Sequence, residues 1–366
     1  MFNLNVVASL SETGYGVASL NIIKALSKKI KVNLYPAFHV HDIDSNKNKI
    51  IANSIANKSF KHKDNPCLLI FGQNELHRFV GKKQHIGMPF FELDRFTDQE
   101  KDSLLHCDLI FVASKWAKQI VIKELKLLKP DIENCVHVVP LGVDREVFYE
   151  NQSSEQLHKT TIFYNCGKWE RRKGHDFLVH CFNEAFTESD DVQLWMQCHN
   201  MFIGNDNNKV WERYYQSSRL GRKIKIIPRL KESSDVAGVM NTIDCGIFPA
   251  RAEGWNLELL EVLACGKHII TSNYSGHTEF CNDKNSLLFE IDELEEAFDG
   301  VWNNGQGYWG KLGDKQKKQI VKYMQEIHQK KQNNTLGKNE SGIQTSKEFS
   351  WDATADKIIN IIFNQT

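Results

Sequence analysis

The feature that most constrains the fold is a regular alternation of short apolar segments with amphipathic or polar segments along most of the chain. A first series of apolar, β-branched segments begins with "LNVVASL" at residue 4 and closes with "VHVVPLG" near residue 142. A second series begins with "TTIFYNCG" at residue 160 and closes with "SLLFEI" near residue 291. Alternation of strands with helices is typical of parallel sheets that are covered by helices on both faces. The sequence therefore predicts an α/β fold of two doubly wound, Rossmann-like domains.

The two series are separated by a polar segment, "DREVFYENQSSEQLHK", at residues 144–159. We place an N-terminal domain at residues 1–148 and a C-terminal domain at residues 149–348. Residues 303–348 are polar and partly low in complexity, and an amphipathic helix, "WDATADKIINIIF", follows them. In doubly wound sheets the ligand binds at the carboxyl ends of the strands, so we expect the site residues in the loops there.

The composition disfavours several classes of protein and several kinds of partner. The chain has 46 Lys and Arg against 46 Asp and Glu, so its net charge gives no support to nucleic acid or an anionic membrane as a partner. Nine cysteines without a CxxC pair predict reduced core thiols in a cytoplasmic protein, and neither a disulfide framework nor a zinc site. No apolar run approaches the ~20 residues that a membrane span needs, and we expect no signal peptide at the first residues.

The first loop of chemical interest is "ETGYGVA", residues 12–18, between the first strand and the first helix. Gly14 and Gly16 would let the backbone approach a ligand closely, and the helix start offers free N–H groups to an anion. The spacing is too short for the dinucleotide fingerprint G-x-G-x-x-G, which disfavours a two-domain oxidoreductase. A tight turn that needs glycine is the alternative interpretation.

The second loop is "CGKWERRKGHDF", residues 166–177, which is densely charged and leads from a strand into a helix. Lys168 and Lys173 could converge there on one phosphate-rich ligand, each acting as a point charge. The alternative is a solvated basic loop, and we expect Arg171 and Arg172 to be its solvated part.

The third loop lies in "ARAEGWNLELLEVLACGKHIITS", residues 250–272, which contains the end of a strand, a turn and a helix. Asn256 is a good N-cap for this helix. Glu253 precedes it and would lie at the mouth of the sheet, close to the free N–H groups of the helix start.

The helix of this stretch carries a second glutamate, Glu261, with seven residues between it and Glu253. Glu261 would lie two turns into the helix, where an unpaired carboxylate is unfavourable. We expect Glu258 on a solvated face of the helix. The buried stripe beside Glu261 would be formed by Leu257, Leu260 and Ala264.

These segments resemble those of glycosyltransferase family 4, the retaining enzymes of GT-B fold. In the second half the resemblance rests on "CGKWERRKG", on the E-x7-E stretch and on "SGHTEF", which contains Glu279. In the first half, "GYG", "HIGMPFFELDRF", "DLIFVASKWAKQ" and "VHVVPLGVDREVF" are similar to family segments. The resemblance covers nearly the whole chain and implies two Rossmann-like domains that face a central cleft.

The resemblance implies that the donor is a nucleotide-diphospho-sugar, UDP- or GDP-linked, held mainly by the C-terminal domain. Glu261 would bind the ribose hydroxyls, and Glu253 would hold sugar hydroxyls and support charge at the anomeric carbon. Lys168 and Lys173 would neutralise the departing diphosphate. The backbone N–H groups that aid them would be those of Asn256 and Leu257.

Gly14, Gly16, Arg229 and Glu279 complete the predicted donor-binding set. We expect no metal and no other cofactor, because fixed lysines and a helix dipole can stabilise the leaving diphosphate. Asp42 and Asp44, in "HDID", match a D-x-D metal motif only by chance in our interpretation.

The first domain would bind an unknown hydroxyl acceptor (a glycan, a lipid-linked acceptor or another), and the helix at residues 349–366 would return to this domain. Many family members carry a histidine after a strand of this domain, but "GMPFFELD" has none, so Glu92 is the predicted residue at that position. His77 is another candidate.

The basic segment at residues 315–331 or the cluster Lys28–Lys31 would suit weak peripheral membrane contact. The alternative is that both are solvated helix faces.

Two positions depart from the family pattern: Lys168 replaces an arginine, and Asn256 stands at a glycine-like position. Two alternatives to a glycosyltransferase that acts on a hydroxyl acceptor stay open. One is a GT-B subunit that binds a nucleotide or sugar without catalysis, although such a subunit would be free to lose the glutamates and lysines. The other is a transferase acting on a nucleic-acid base, which the net charge does not support.

Overall fold

The structure, a computed structural model, describes residues 2–11, 13–40, 62–151 and 159–363. Asp42 and Asp44 of the D-x-D segment lie outside these residues. The chain divides into two compact units, one formed by Met1–Gly142 with Phe349–Thr366 and the other by Val143–Glu348. The division predicted from the sequence lies after residue 148.

The first unit contains a six-stranded parallel sheet in the order β2-β1-β3-β4-β5-β6. Its strands are short apolar runs, typical of parallel strands that are buried on both faces. They are β1 (Asn3–Leu10), β2 (Lys31–Val40), β3 (Cys67–Ile70), β4 (His85–Met88), β5 (Leu109–Val112) and β6 (Val136–Val138). In the described part of this unit the helices are α1 (Gly14–Ser27), α2 (Asp98–Leu105), α3 (Lys115–Leu125), α4 (Ile132–Cys135) and α11 (Trp351–Phe363).

The last helix, α11, packs against α1 within the first unit. Two ion pairs join these helices, Lys28 with Asp352 at 3.2 Å and Lys29 with Asp356 at 2.6 Å. The face of α11 that is buried consists of Trp351, Thr354, Ala355 and Ile358. Two lysines of the cluster at Lys28–Lys31 therefore have carboxylate partners inside this unit.

The second unit contains a six-stranded parallel sheet in the order β12-β11-β10-β7-β8-β9. Its strands are β7 (Thr161–Gly167), β8 (Val192–Cys198), β9 (Ile224–Ile226), β10 (Cys245–Phe248), β11 (His268–Ser272) and β12 (Leu287–Phe289). Within this sheet the chain first forms the central strand β7 and then β8 and β9 on one side of it. Strand β10 follows on the other side of β7. The strand order therefore reverses between β7 and β10, and ligands of such sheets bind outside the carboxyl ends of the strands at this switch point.

Helices cover this second sheet, and a small antiparallel hairpin is attached to the unit. The helices are α5 (His175–Ala185), α6 (Gly204–Gln216), α7 (Ser233–Thr242), α8 (Leu257–Ala264), α9 (Asp314–Gln332) and α10 (Glu340–Glu348), and the hairpin strands are β13 (Leu294–Phe298) and β14 (Asn304–Gly310). The core is rich in aromatic side chains, and Trp169, Phe163, Phe182 and Tyr215 are fully buried.

Residues 303–348 are not the polar tail that their composition indicates, because they form β14, α9 and α10. Helix α9 packs against α5, and Ile320, Met324 and Ile327 of α9 belong to the core of the second unit. The apolar face of the segment at residues 315–331 is therefore covered by its own unit, and only its polar face is available for the membrane contact considered above.

All nine cysteines are free thiols in the structure, and eight of them are buried. Burial raises the pKa of most of these thiols, Cys67 and Cys107 among them to about 12. Within the described part of the chain, no helix combines the length and the apolar character needed to cross a membrane.

Candidate functional site

The carboxyl ends of β7 and β10 meet at the switch point of the second sheet, and the loops that follow them lie against each other. Strand β7 ends at Gly167, whose φ of +125° favours glycine. A Cβ at this position would lie 3.2 Å from Glu258 Oε1 and 3.3 Å from Lys173 Nζ. At Gly174, which precedes α5, a Cβ would collide with the carbonyl oxygen of Pro249. Two glycines thus permit close approach between charged groups and the backbone here.

Six charged side chains, five from these loops and one from the first turn of α8, form a chain of ion pairs that alternate in sign. The ion-pair chain consists of Lys168, Glu170, Arg172, Glu253, Lys173 and Glu258, in that order. Successive distances between the closest nitrogen and oxygen atoms are 2.7, 2.7, 2.9, 2.8 and 3.7 Å. The four inner members are buried, whereas the side chains of the terminal Lys168 and Glu258 are 41% and 32% exposed.

The ion pairs hold the buried charges in their ionised forms. Burial alone would raise the pKa of Glu253, but the charges of Arg172 and Lys173 outweigh that effect and lower the pKa to about 2. Burial would likewise lower the pKa of Lys173, but Glu253 and Glu258 outweigh it and raise that pKa. Burial would also raise the pKa of Glu170, and Arg172 and Lys168 lower it instead. The site is therefore a fixed array of charges at neutral pH.

The expectation that Arg171 and Arg172 are both solvated is wrong for Arg172. Arg171 is exposed, whereas Arg172 is only 6% exposed and pairs with Glu170 and Glu253. The loop winds back toward β10, as the hydrogen bond from Arg251 N to Arg172 O shows, and this turns one arginine inward and the other outward.

Lys168 and Lys173 belong to the same ion-pair chain but differ in depth. The Lys168 side chain is 41% exposed, and its Nζ lies 5.7 Å from the ring centroid of Phe202. The Lys173 side chain is 8% exposed, and its ammonium lies 2.8 Å from Glu253 Oε1. The structure thus pairs Lys173 with Glu253, whereas the sequence predicts separate roles for these two residues.

The start of α8 has an unusual backbone. Asn256 has a φ of +78°, and its Oδ1 accepts a hydrogen bond from Leu259 N at 3.2 Å. Asn256 Nδ2 is buried and has no hydrogen-bond partner among the described residues. On the neighbouring loop, Ser275 has a φ of +70°, and its Oγ accepts a hydrogen bond from Glu253 N at 2.8 Å.

The loop that contains Glu279 also contacts Glu253. Gly276 N donates to Glu253 O at 2.8 Å, and a Cβ on Gly276 would collide with Gly254 O. Glu279 ends the 3₁₀ turn Gly276–Glu279 and is partly exposed. The glycine turn predicted from the sequence therefore supports the backbone of Glu253 directly.

Glu261 lies in α8 and is mostly buried. Burial raises the pKa of its carboxyl well above the usual range, and Glu258 raises it further. Among the residues that the structure describes, no side-chain hydrogen bond or ion pair reaches this carboxyl. The predicted stripe is corrected in part, because Leu257 is partly exposed. The buried residues of α8 are Leu259, Leu260, Val262, Leu263 and Ala264.

Among the predicted donor-binding residues of the second unit, Arg229 follows the strand that is farthest from β10 on the side of β7. It follows β9, the edge strand, which is separated from β7 by β8. Its side chain is exposed.

The predicted residues of the first unit follow three neighbouring strands. Gly14 follows β1 and is exposed, and a Cβ at this position would have open space around it, whereas a Cβ on Gly16 would collide with Ser11 O. The alternative interpretation, a tight turn that needs glycine, therefore accounts for Gly16. His77 follows β3 and is exposed, and Glu92 follows β4 and is partly exposed.

Sequence reasoning missed Glu170 and Arg172 as site residues, and it placed Glu258 on a solvated face. A signal was present, since charges of both signs follow each other in a loop that enters an apolar helix. No group of three or more His, Cys, Asp or Glu side chains in the described part of the chain is arranged to hold a metal ion.

Residues 160–304, which contain the whole ion-pair chain, match the family model described as "Glycosyl transferases group 1". An uncharacterised glycosyltransferase of Methanocaldococcus jannaschii is 24% identical over 257 residues, which are 69% of this chain and 58% of that relative's length. The chain thus spans little more than half of this relative.

Solved structures are similar over nearly the full length of the chain. The Anabaena protein HepE, in complex with UDP-glucose, has 13% identity and a TM-score of 0.70, with 100% of both chains covered. A glycosyltransferase from Rickettsia africae has 14% identity and a TM-score of 0.68, with 100% of this chain and 99% of that one covered. Sucrose-phosphate synthase from Thermosynechococcus elongatus has 14% identity and a TM-score of 0.67, with coverage of 99% and 98%. The fold is therefore GT-B, and the family match supports a glycosyltransferase.

Proposed function

We propose that this GT-B protein is a retaining, metal-independent glycosyltransferase that moves a sugar from a nucleotide-diphospho-sugar to a hydroxyl acceptor. The observation that carries the proposal is the ion-pair chain at the switch point of the second sheet, inside the segment that matches the glycosyltransferase model. Fixed charges in this place can stabilise charge that develops on a leaving diphosphate. The ligands named in the HepE structures, UDP and UDP-glucose, favour a uridine donor.

The proposed roles differ by depth in the site. Lys168, the exposed cation of the ion-pair chain, is the residue that meets the diphosphate first. Lys173 is held by Glu253, so it contributes a fixed positive charge and Glu253 presents a fixed carboxylate to the sugar. The backbone N–H groups at Asn256 and Leu257 complete the phosphate contacts.

Glu261 is proposed to bind the ribose hydroxyls. Its carboxyl has no partner among the described side chains, and burial raises its pKa, so a pair of hydroxyl groups would satisfy it. Glu279 and Arg229 would extend the donor contacts. On the first unit, Gly14 would approach the donor, and Glu92 or His77 would act on the acceptor side.

Metal independence is proposed because the cations of the loop at residues 168–173 can supply the electrostatic stabilisation that Mg²⁺ supplies in other sites. The acceptor stays unidentified, and a cytoplasmic location and weak membrane contact stay predictions from the sequence.

The test is a calorimetric and thermal-shift titration with UDP, GDP, ADP and CDP, with Mg²⁺ or with a chelator. We expect one diphosphate to raise the melting temperature of the wild type equally in both conditions, since a ligand that binds only the folded state stabilises it. Glu261→Gln should weaken binding by about tenfold, corresponding to the loss of about 1.4 kcal/mol. Glu188→Gln, an exposed glutamate of the same unit, is the matched control and should change nothing.

The outcome against the proposal is that none of the four diphosphates binds, or that binding needs Mg²⁺. If one binds, the sugar nucleotide of that base is incubated with the enzyme in water, and ¹H NMR identifies the first anomer released. Release of the anomer found in the donor supports retention, and release of the opposite anomer contradicts it.

A further inference from the structure

Arg172 lies at the centre of the ion-pair chain and connects two buried carboxylates. Its Nη2 donates to Glu170 Oε2 at 2.7 Å, and its Nη1 lies 2.9 Å from Glu253 Oε2. The same Nη1 donates to the carbonyl oxygen of Ala252 at 2.7 Å. One guanidinium therefore joins the loop after β7 to the loop after β10, on either side of the switch point.

Arg172 and Lys173 together occupy both oxygens of the Glu253 carboxylate. Lys173 Nζ lies 2.8 Å from Oε1, and Arg172 Nη1 lies 2.9 Å from Oε2. The backbone of Glu253 is fixed as well, by Ser275 Oγ at its N–H and by Gly276 N at its carbonyl. Two side chains thus hold the carboxylate, and two further hydrogen bonds hold the backbone of the same residue. Arg172 supplies the carboxylate contact on the side of Glu170.

Arg172 also reaches the exposed end of the ion-pair chain through Glu170. Glu170 accepts from Arg172 with Oε2 and lies 2.7 Å from Lys168 Nζ with Oε1. A ligand phosphate that replaced Glu170 as the partner of Lys168 would leave Glu170 still paired with Arg172. The buried carboxylate would then keep a counter-ion while Lys168 changes partners.

We infer that Arg172 is a positioning residue of the proposed donor site, which orients Glu253 toward the donor and keeps Lys168 available to the diphosphate. The inference rests on the proposed function. Lysine could not replace Arg172 fully, because the guanidinium contacts the two carboxylates with two separate nitrogens, whereas an ammonium has a single nitrogen.

The test compares Arg172→Lys with Arg171→Lys, which makes the same change at the neighbouring exposed arginine. The probe is the sugar nucleotide of the base that the wild type binds, titrated by calorimetry at neutral pH, because Glu253 is proposed to contact the sugar. We expect Arg172→Lys to weaken binding by about tenfold or more and Arg171→Lys by less than about twofold.

A double-mutant cycle separates positioning from general damage to the fold. If Arg172 acts through Glu253, Arg172→Lys should add less than about twofold to the loss already caused by Glu253→Gln. An equal loss in both backgrounds, or no loss from Arg172→Lys in the wild type, would overturn the inference.

A second measurement needs no nucleotide, so it distinguishes failure of this inference from failure of the proposed function. The titratable groups that interact with Glu253 are Arg172, Lys173 and, at longer range, His175 and His277, while Glu258 pairs with Lys173. Arg172→Lys leaves buried carboxylates poorly paired when they are ionised, and protonation relieves this. The difference in melting temperature between wild type and Arg172→Lys should therefore shrink by about half between pH 7 and pH 4. A constant difference would contradict the proposed contact, whether or not any nucleotide binds.

Discussion

Asn256 holds the left-handed backbone conformation that the turn before α8 requires. Its φ of +78° lies where glycine and asparagine are tolerated and most other residues are strained. Its side chain also caps the helix, because Oδ1 accepts from Leu259 N. This explains in physical terms why an asparagine stands at the glycine-like position of the E-x7-E stretch.

Two substitutions of Asn256 should separate the conformational effect from the capping effect. Asn256→Ala loses the cap and keeps a Cβ in the left-handed region, so it should lower the free energy of unfolding by about 1–3 kcal/mol. Asn256→Gly loses the cap but relieves the backbone, and it should be the less destabilised variant by about 1 kcal/mol. Thermal unfolding monitored by circular dichroism measures both. Equal stability of the two variants would show that the left-handed conformation is not maintained.

Individual residues of the candidate site could be proposed from the sequence only where a motif fixes their positions. The positions of Glu253, Glu261 and Lys173 follow from spacing, whereas the pairing of Glu253 with Lys173 joins residues 80 positions apart. Arg171 and Arg172 are identical neighbours, so composition and spacing treat them alike. Which of them is buried depends on how the loop after β7 meets the loop after β10, and that is a tertiary contact.

Among the secondary-structure elements, the apolar strands could be predicted from the sequence. The carboxyl-terminal helices of the second unit were harder to predict. The segment "TTIFYNCG" forms β7 and "HDFLVHCFNEAF" contains α5, because dense apolar runs with clear periodicity have few alternatives. Helix α9 is rich in Lys and Gln, and its buried face depends on a few apolar residues at helical spacing. The sequence therefore indicates an amphipathic segment here, but its composition conceals that the apolar face completes the core.

The contribution of α9 to the core can be tested with one buried and one exposed position. Met324 is fully buried, and Met324→Ala should lower the free energy of unfolding by about 2–5 kcal/mol through lost burial and a cavity. Lys322→Ala removes an exposed side chain two residues away and should change stability by less than about 0.5 kcal/mol. Chemical denaturation of both variants gives the comparison. Indistinguishable stability would mean that α9 does not pack as the structure has it.

For the molecule as a whole, the net charge is zero, yet several charged side chains are buried together in the interior of the second unit. Equal numbers of cations and anions are consistent with a protein that has no long-range field, yet Glu170, Arg172, Lys173 and Glu253 are buried in one place. Net charge is a property of the composition, whereas burial is a property of the fold. The whole-molecule consequence is that stability should depend on pH through buried groups, in spite of a balanced surface.

Two fully buried histidines of the second unit contribute to the first part of that pH dependence, together with His137, His268 and His328, whose pKa values burial also lowers. His175 Nδ1 accepts from Glu170 N at 3.1 Å, while its Nε2 lies 2.9 Å from Asn165 Oδ1, so the neutral ring satisfies both contacts. Burial, together with the charge of Lys173, lowers the pKa of His175 well below its usual range. Burial also lowers the pKa of His277. Protonation of either ring in the folded state is therefore unfavourable.

The sign of the effect follows from these lowered pKa values. Below pH ~6.5 the unfolded chain binds protons at both histidines and the folded chain does not, so stability is complete above that pH and is lost as the pH falls. Two such groups give a slope of up to about 2.7 kcal/mol per pH unit. We therefore expect the calorimetric melting temperature of the wild type to fall between pH 7.5 and pH 5.5. His175→Gln should reduce this decrease, whatever its effect on the melting temperature itself, and His180→Gln, at an exposed position, should not. An equal decrease in the wild type and in His175→Gln would show that the His175 ring is not held neutral by the fold, because the opposite contribution of Glu261, whose pKa is raised, is the same in both proteins.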